Sequence, residues 1–263
     1  MASNRVGNLG KARILVTNDD GINAPGLKVL EKVAKSLASD VWVVAPESEQ
    51  SGASHSLTLT EPLRVRKVSA RKFAVRGTPT DCVLMASSEL IPGPPPDLVL
   101  SGVNRGANLA EDVSYSGTVS AAKEATLVDI PAIALSQCLM GNPDPRWSTA
   151  ATHAPGLIKQ LVKIGWPTGV LININFPDVA ADKVKGVQVC RTGKRNLSDL
   201  QMDARIDARG IPYYWMGFRR QEGPAERNTD LAAIEDGYIS VTPLQLDHTH
   251  RSTLKAMKDS LSL

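Results

Sequence analysis

Asp19 and Asp20 stand side by side at the end of an apolar run, in "ILVTNDDGINAPG" (residues 14–26), and the chain turns at Gly21 directly after them. Adjacent carboxylates make each other harder to ionise unless a cation sits between them. Two further stretches carry matching chemistry. "APESEQSGASHS" (45–56) is rich in serine and glycine and holds Ser51 and Gly52, and "SGVNRGANLAEDVSYSGTVSAAKEA" (101–125) holds Asn104, Asn108, Ser116 and Gly117. The two carboxylates, the Ser51 hydroxyl and the Asn104 amide oxygen are all hard oxygen donors. The first and third stretches contain no histidine or cysteine, which disfavours zinc and suits magnesium, manganese or calcium.

The third stretch adds a place for an anion. Ser116 is spaced to cap a helix, Gly117 lets a ligand approach the backbone, and the free amides of a helix start favour phosphate. Ser51 and Gly52 offer a second hydroxyl and amide. Taken alone, "NDDG" reads as a turn and "YSG" as an ordinary capped helix. Three such loops at one sheet edge point instead to a metal-assisted phosphate site. His55 lies close enough to Ser51 to shuttle a proton, but a loop histidine is more often solvated, and it stays outside the catalytic set. Lys123 reads as a surface residue, and Arg105 and Asp112 lie nearby without a defined role.

The elements that must position these loops alternate. "RILVTN" (13–18), "DVWVVAP" (40–46), "PDLVLSG" (96–102), "IPAIALS" (130–136) and "VLININF" (170–176) read as buried strands. Helical spacing predicts helices over 26–37, 78–90, with Thr78 as N-cap and Pro79 first in the helix, and near 147–164. Strands alternating with helices specify an α/β fold with a mostly parallel sheet covered on both faces, so that ligands gather at the strands' carboxyl ends. Two regions break the pattern. Residues 61–79 alternate as a β-hairpin, with Leu63, Val65, Phe73 and Val75 in step. The polar, arginine-rich stretch 194–235 is too long for a routine connection and holds Tyr213, Tyr214 and Trp215 together. It reads either as an exposed hairpin or as an arm that packs on a second subunit.

Bulk composition narrows the class. The 263 residues, 42% hydrophobic and 22% charged, build a core without staples, and a net charge of +3 is too mild to argue for a nucleic-acid duplex or a membrane surface. Cys82, Cys138 and Cys190 show neither pairing nor metal spacing and read as buried free thiols of a reducing compartment. The first ten residues lack the apolar centre of a secretory signal, and no apolar run approaches the roughly 18 residues of a membrane span. The expectation is a cytoplasmic protein.

"ILVTNDDGINAPGL", "VVAPESEQSGASHSLT", "GTPTDCV", "DLVLSGVNRGANLAEDVSYSGTVSAAKEA" and "GYISVTPL", in that order, resemble the survival protein E (SurE) family of metal-dependent nucleotide phosphatases. The resemblance implies a Rossmann-like three-layer core over 11–192 and a C-terminal extension over 193–263 made of an oligomerisation arm, a returning strand and a terminal helix. It also implies hydrolysis of nucleoside monophosphates, with broader phosphomonoesterase activity. The family's metal ligands fall on Asp19, Asp20, Ser51 and Asn104, and its phosphate contacts on Gly52, Asn108 and Ser116, beside Ser51 and Gly117. The expected chemistry is in-line attack by water, with Asp19 the candidate to take the water's proton, and the expected assembly is a homodimer or homotetramer. Two other phosphoryl-transfer designs fit less well. Haloacid-dehalogenase-like phosphatases space their aspartates at i and i+2, and a receiver domain needs an aspartate after its third strand, where this chain has Asn104. The rival from another class is a nucleotide sensor that binds without turnover.

Overall fold

Strands that are apolar on both faces need cover on both, and this requirement organises the chain. The structure, a computed structural model, describes residues 3–4, 6–141, 144–195, 200–218 and 225–261. The strands are β1 (Ser3–Asn4), β2 (Arg13–Thr17), β3 (Asp40–Pro46), β4 (Arg64–Ser69), β5 (Lys72–Arg76), β6 (Leu98–Arg105), β7 (Ala132–Gln137), β8 (Trp166–Pro167), β9 (Val170–Phe176), β10 (Val187–Val189), β11 (Leu200–Ile206), β12 (Pro212–Phe218) and β13 (Ile239–Gln245). The α-helices are α1 (Pro25–Leu37), α2 (Pro79–Met85), α3 (Asp112–Tyr115), α4 (Gly117–Leu127), α5 (Trp147–Ile164), α6 (Asp230–Glu235) and α7 (Arg251–Ser260).

Nine strands form one sheet in the order β10-β13-β9-β7-β6-β2-β3-β5-β4. Its pairings are parallel except β13 with β9 and β4 with β5. The three layers follow from alternation along each strand. Ile14 and Val16 face the core shared with α1 and α5, while Leu15 faces α2 and α4; Leu98 and Leu100 divide from Val99 in the same way. On the α4 side β7 presents Ala132 and Ala134, and α4 answers with Ala121, Ala122 and Ala125, so this helix lies close on the sheet. The expected hairpin is present, pairing Val65 with Val75, and Thr78 caps α2 in a reciprocal box with Asp81. The helix expected over 78–90 is α-helical only to Met85 and continues as a π-turn to Leu90.

Connectivity places the site. From β2 the chain builds outward through β3 to β5, then crosses back to lay β6 on the other flank of β2 and proceeds to β7 and β9. The carboxyl ends of β2 and β6 therefore border the point where strand order reverses, the place where open α/β sheets bind ligands. Beyond the arm, β13 inserts between β9 and β10 and completes the sheet. All three cysteines are buried and none is in a disulfide, as expected. Among the described residues, no helix is long and apolar enough to cross a membrane.

Gly26 sets how closely α1 lies on β6: a Cβ there would stand 1.9 Å from the Val103 carbonyl oxygen and 2.9 Å from the Trp147 ring. Gly26→Ala should therefore destabilise the fold by about 1–3 kcal/mol, read as a lower urea midpoint with an unchanged m-value.

Candidate active site

The end of β2 delivers Asp19 into the start of α4. Asp19 is 4% exposed, and the Thr118 hydroxyl donates a hydrogen bond to its Oδ1. Gly117 makes the approach possible, because a Cβ on that residue would lie 2.7 Å from the Asp19 Cβ and 3.0 Å from its Oδ2. This glycine is thus spent on admitting a carboxylate to the helix start. Burial pushes the Asp19 carboxyl up from 3.8 to about 6; the Thr118 hydroxyl opposes the rise and the neighbouring Asp20 adds to it.

Asp20 holds the next loop. The Arg105 backbone amide donates to its Oδ2 at 3.1 Å. Burial raises this carboxyl too, with the Arg105 amide opposing and the charge of Glu49 adding to the rise. Ser51 donates to Glu49 Oε1 at 2.8 Å, which leaves the serine oxygen's lone pairs for a ligand. Asn104 donates its Nδ2 to the Gly106 carbonyl at 2.9 Å, which leaves its Oδ1 as an acceptor. The Gln50 amide donates to the Asp19 carbonyl at 2.8 Å and the Ser54 hydroxyl to the Ser114 carbonyl at 2.8 Å, so the loop of Ser51 and Gly52 is tied both to β2 and to the segment before α4. Gly52 is exposed, with open space where a Cβ would lie.

Ser116 is the N-cap of α4: its Oγ accepts from the Val119 amide at 3.0 Å, and its hydroxyl proton is not used by the cap. Asn108 is anchored to β7 and β9. Its Nδ2 donates to Ser136 Oγ at 2.7 Å, its backbone amide donates to Asn175 Oδ1 at 2.8 Å, and its carbonyl accepts from Asn173 and Asn175 at 2.8 and 3.1 Å. The structure thus gathers Asp19, Asp20, Ser51, Asn104, Ser116 and Gly117 around the ends of β2 and β6, with Asn108 on the β7 side.

Two readings of the sequence need correction. His55 is not simply solvated: its Nε2 lies 2.8 Å from Glu124 Oε2 on α4, clamping the Ser51 loop to the helix that starts at the site. Lys123 is half-buried, and that burial lowers its pKa. Thr118 and Glu49, which grip Asp19 and Ser51, were missed, although each lies within two residues of a position already singled out.

A family model described as "Survival protein SurE" matches residues 14–199, well over half of the chain. The chain belongs to the SurE family. The protein of Parvibaculum lavamentivorans named 5′-nucleotidase SurE is 58% identical over 251 residues, covering 95% of this chain and 91% of its own. Its namesake from Paramagnetospirillum magneticum is 56% identical, covering 94% of each. The crystal structure of the SurE protein from Aquifex aeolicus superposes with a TM-score of 0.82 at 40% identity, covering 94% of this chain and 99% of that one. The SurE match takes in all three site loops and stops one residue short of β11.

The raised Asp19 carboxyl has a measurable consequence in metal-free protein. The folded state holds this proton more tightly than the unfolded chain, so the contribution of Asp19 to stability is fully present below about 4 and is lost as the pH rises through about 6. At about 1.4 kcal/mol per pH unit the loss is at most roughly 3 kcal/mol. Asp19→Asn, measured by thermal unfolding in chelator at pH 7.5, should therefore be more stable than the parent, with the difference vanishing near pH 4.

Proposed function

We propose that this chain hydrolyses nucleoside 5′-monophosphates to nucleoside and inorganic phosphate, aided by a divalent cation held by Asp19, Asp20, Ser51 and Asn104. The activity in the names of its relatives motivates the substrate class, and 3′-monophosphates and other small phosphomonoesters fit the same phosphate chemistry. The observation that carries the reading is the acidic pair after β2, with Asp19 buried against the start of α4 and Asp20 held by the Arg105 amide at the end of β6. Burial raises both carboxyls above their ordinary range, and a cation held between them would favour their ionised forms. Two anionic and two neutral oxygen donors suit magnesium or manganese, and calcium accepts the same set. When bound, such an ion polarises a phosphoryl oxygen and acidifies a water.

The chain's own residues divide the remaining work. Thr118 fixes Asp19 through Oδ1, leaving Oδ2 for the cation or for the water's proton. Ser116 has a hydroxyl proton to donate to a phosphoryl oxygen, and Gly52 and Asn108 complete the anion's surroundings. Three buried thiols without a disulfide suit a cytoplasmic protein.

The same reading extends to assembly. Ile206, Tyr214, Trp215 and Met216 in the β11–β12 hairpin are each more than 60% exposed, and a lone two-stranded hairpin is marginal in water. The partner proposed for it is a second copy of this chain, giving a homodimer or homotetramer. Light scattering at micromolar concentration should return at least twice 28.1 kDa; a monomer would contradict it.

Phosphate release from a nucleoside 5′-monophosphate with manganese, abolished by chelator and by Asp20→Asn, tests the activity. Nucleotide binding without release would mark a sensor instead. Ser116→Ala should lower kcat/KM by about 10²–10³ through the loss of one donor to developing charge, with manganese affinity unchanged. Loss of metal binding in proportion to activity would move Ser116 into the metal set.

A further inference from the structure

The loop between β6 and α3 carries Asn108, and two residues later it contains Ala110 in a left-handed conformation, φ +51°. A non-glycine residue holds that conformation only where its surroundings over-determine it. Here the fixing group comes from far along the chain. The Ala110 amide donates to Asp230 Oδ2 at 2.9 Å. Asp230, the first residue of α6, is fully buried, and its other oxygen accepts from the Gly193 amide at 2.7 Å and the Leu231 amide at 2.9 Å. One carboxylate thus joins the Asn108 loop, the segment leading into the arm and the helix that follows the arm.

Arg195 grips the same loop from its other side. Its backbone amide donates to both oxygens of Glu111 at 3.0 and 2.9 Å, and its Nη1 reaches the Leu109 carbonyl at 3.1 Å and Asp112 Oδ2 at 2.7 Å. Leu109 packs against Ile234 of α6. Every residue from Leu109 to Asp112 is therefore bonded to or packed against the chain on either side of the arm.

We infer that Asp230 and Arg195 are positioning residues for phosphate recognition: they hold the Asn108 loop in its strained form and tie it to the two ends of the β11–β12 arm. Among the described residues the bonds of Asp230 and Arg195 go to the Asn108 loop and the chain flanking the arm rather than to Asp19 or Asp20, so their removal should disturb the phosphate subsite and spare the metal ligands. This inference rests on the reading of Asn108 as a phosphate contact.

The test uses the full-length, manganese-loaded protein and compares Asn108→Ala, Asp230→Asn, Arg195→Ala and the control Arg191→Ala, whose side chain pairs with Glu226 and touches no residue of the loop. Asparagine at 230 has one acceptor oxygen where the carboxylate has two, so it loses either the Ala110 or the Gly193 bond. Competitive inhibition by inorganic phosphate should weaken about tenfold to a hundredfold in the first three variants, with KM for a nucleoside monophosphate rising in parallel. Manganese affinity, and every constant of the control, should stay within about twofold. A structural role alone would lower Tm while leaving phosphate inhibition of the folded enzyme unchanged. If Asn108→Ala weakens phosphate and neither Asp230→Asn nor Arg195→Ala does, the inference is overturned and the reading of Asn108 survives. If Asn108→Ala leaves phosphate inhibition unchanged, both fall. Arg195 sits at the surface edge of the cluster, with its side chain 21% exposed, so Arg195→Ala decides the matter should Asp230→Asn fail to fold.

Discussion

One contact orders the centre of this molecule: a buried carboxylate set against the first residues of α4. Asp19 comes from the end of β2 and meets Gly117 and Thr118 across 99 residues of sequence. That meeting requires β2 and β6 to be neighbours, since β6 leads into the loop that starts α4. It requires a glycine where a methyl group would collide, and it leaves the carboxyl partly compensated by the helix start and one hydroxyl. The remaining loops arrange themselves around it, Gln50 bonding to the Asp19 carbonyl and Arg105 to the neighbouring Asp20.

Much of this was readable from local pattern. Apolar runs of four to eight residues marked the buried strands, the Thr78 cap and the Pro79 start were correctly placed, and the three loops gathered at one edge because their strands are parallel. The partners that hold the loops were not readable. His55 finds Glu124 69 residues away, and Asp230 finds Ala110 120 residues away. Neither pairing leaves a trace in spacing, because each depends on where two loops end rather than on the period of an element. Lys123 illustrates the same limit. Its helix position suggested solvent, but its ammonium donates back to the Val113 carbonyl in α3, ten residues earlier.

Gly117 carries a lesson about motif reading. In sequence, a glycine at a helix start invites a phosphate, and here the group admitted against it is a side chain of the protein itself. The anion preference of a helix N-terminus is the same in both cases. What differs is the source of the negative charge, which here is Asp19, brought in from the end of β2.

The returning strand bears on how the chain is made. β13 lies between β9 and β10, and its residues follow the whole arm in sequence. During synthesis, at about 5–20 residues per second, the edge of β9 stays unpaired until residue 245 has been added. For those seconds Leu171, Ile172 and Ile174 border an open ladder of amides and carbonyls, the kind of edge that pairs readily with another chain. The nascent protein is thus most prone to aggregation late in its synthesis, when the loops after β2, β3 and β6 are complete and the closing strand is still missing.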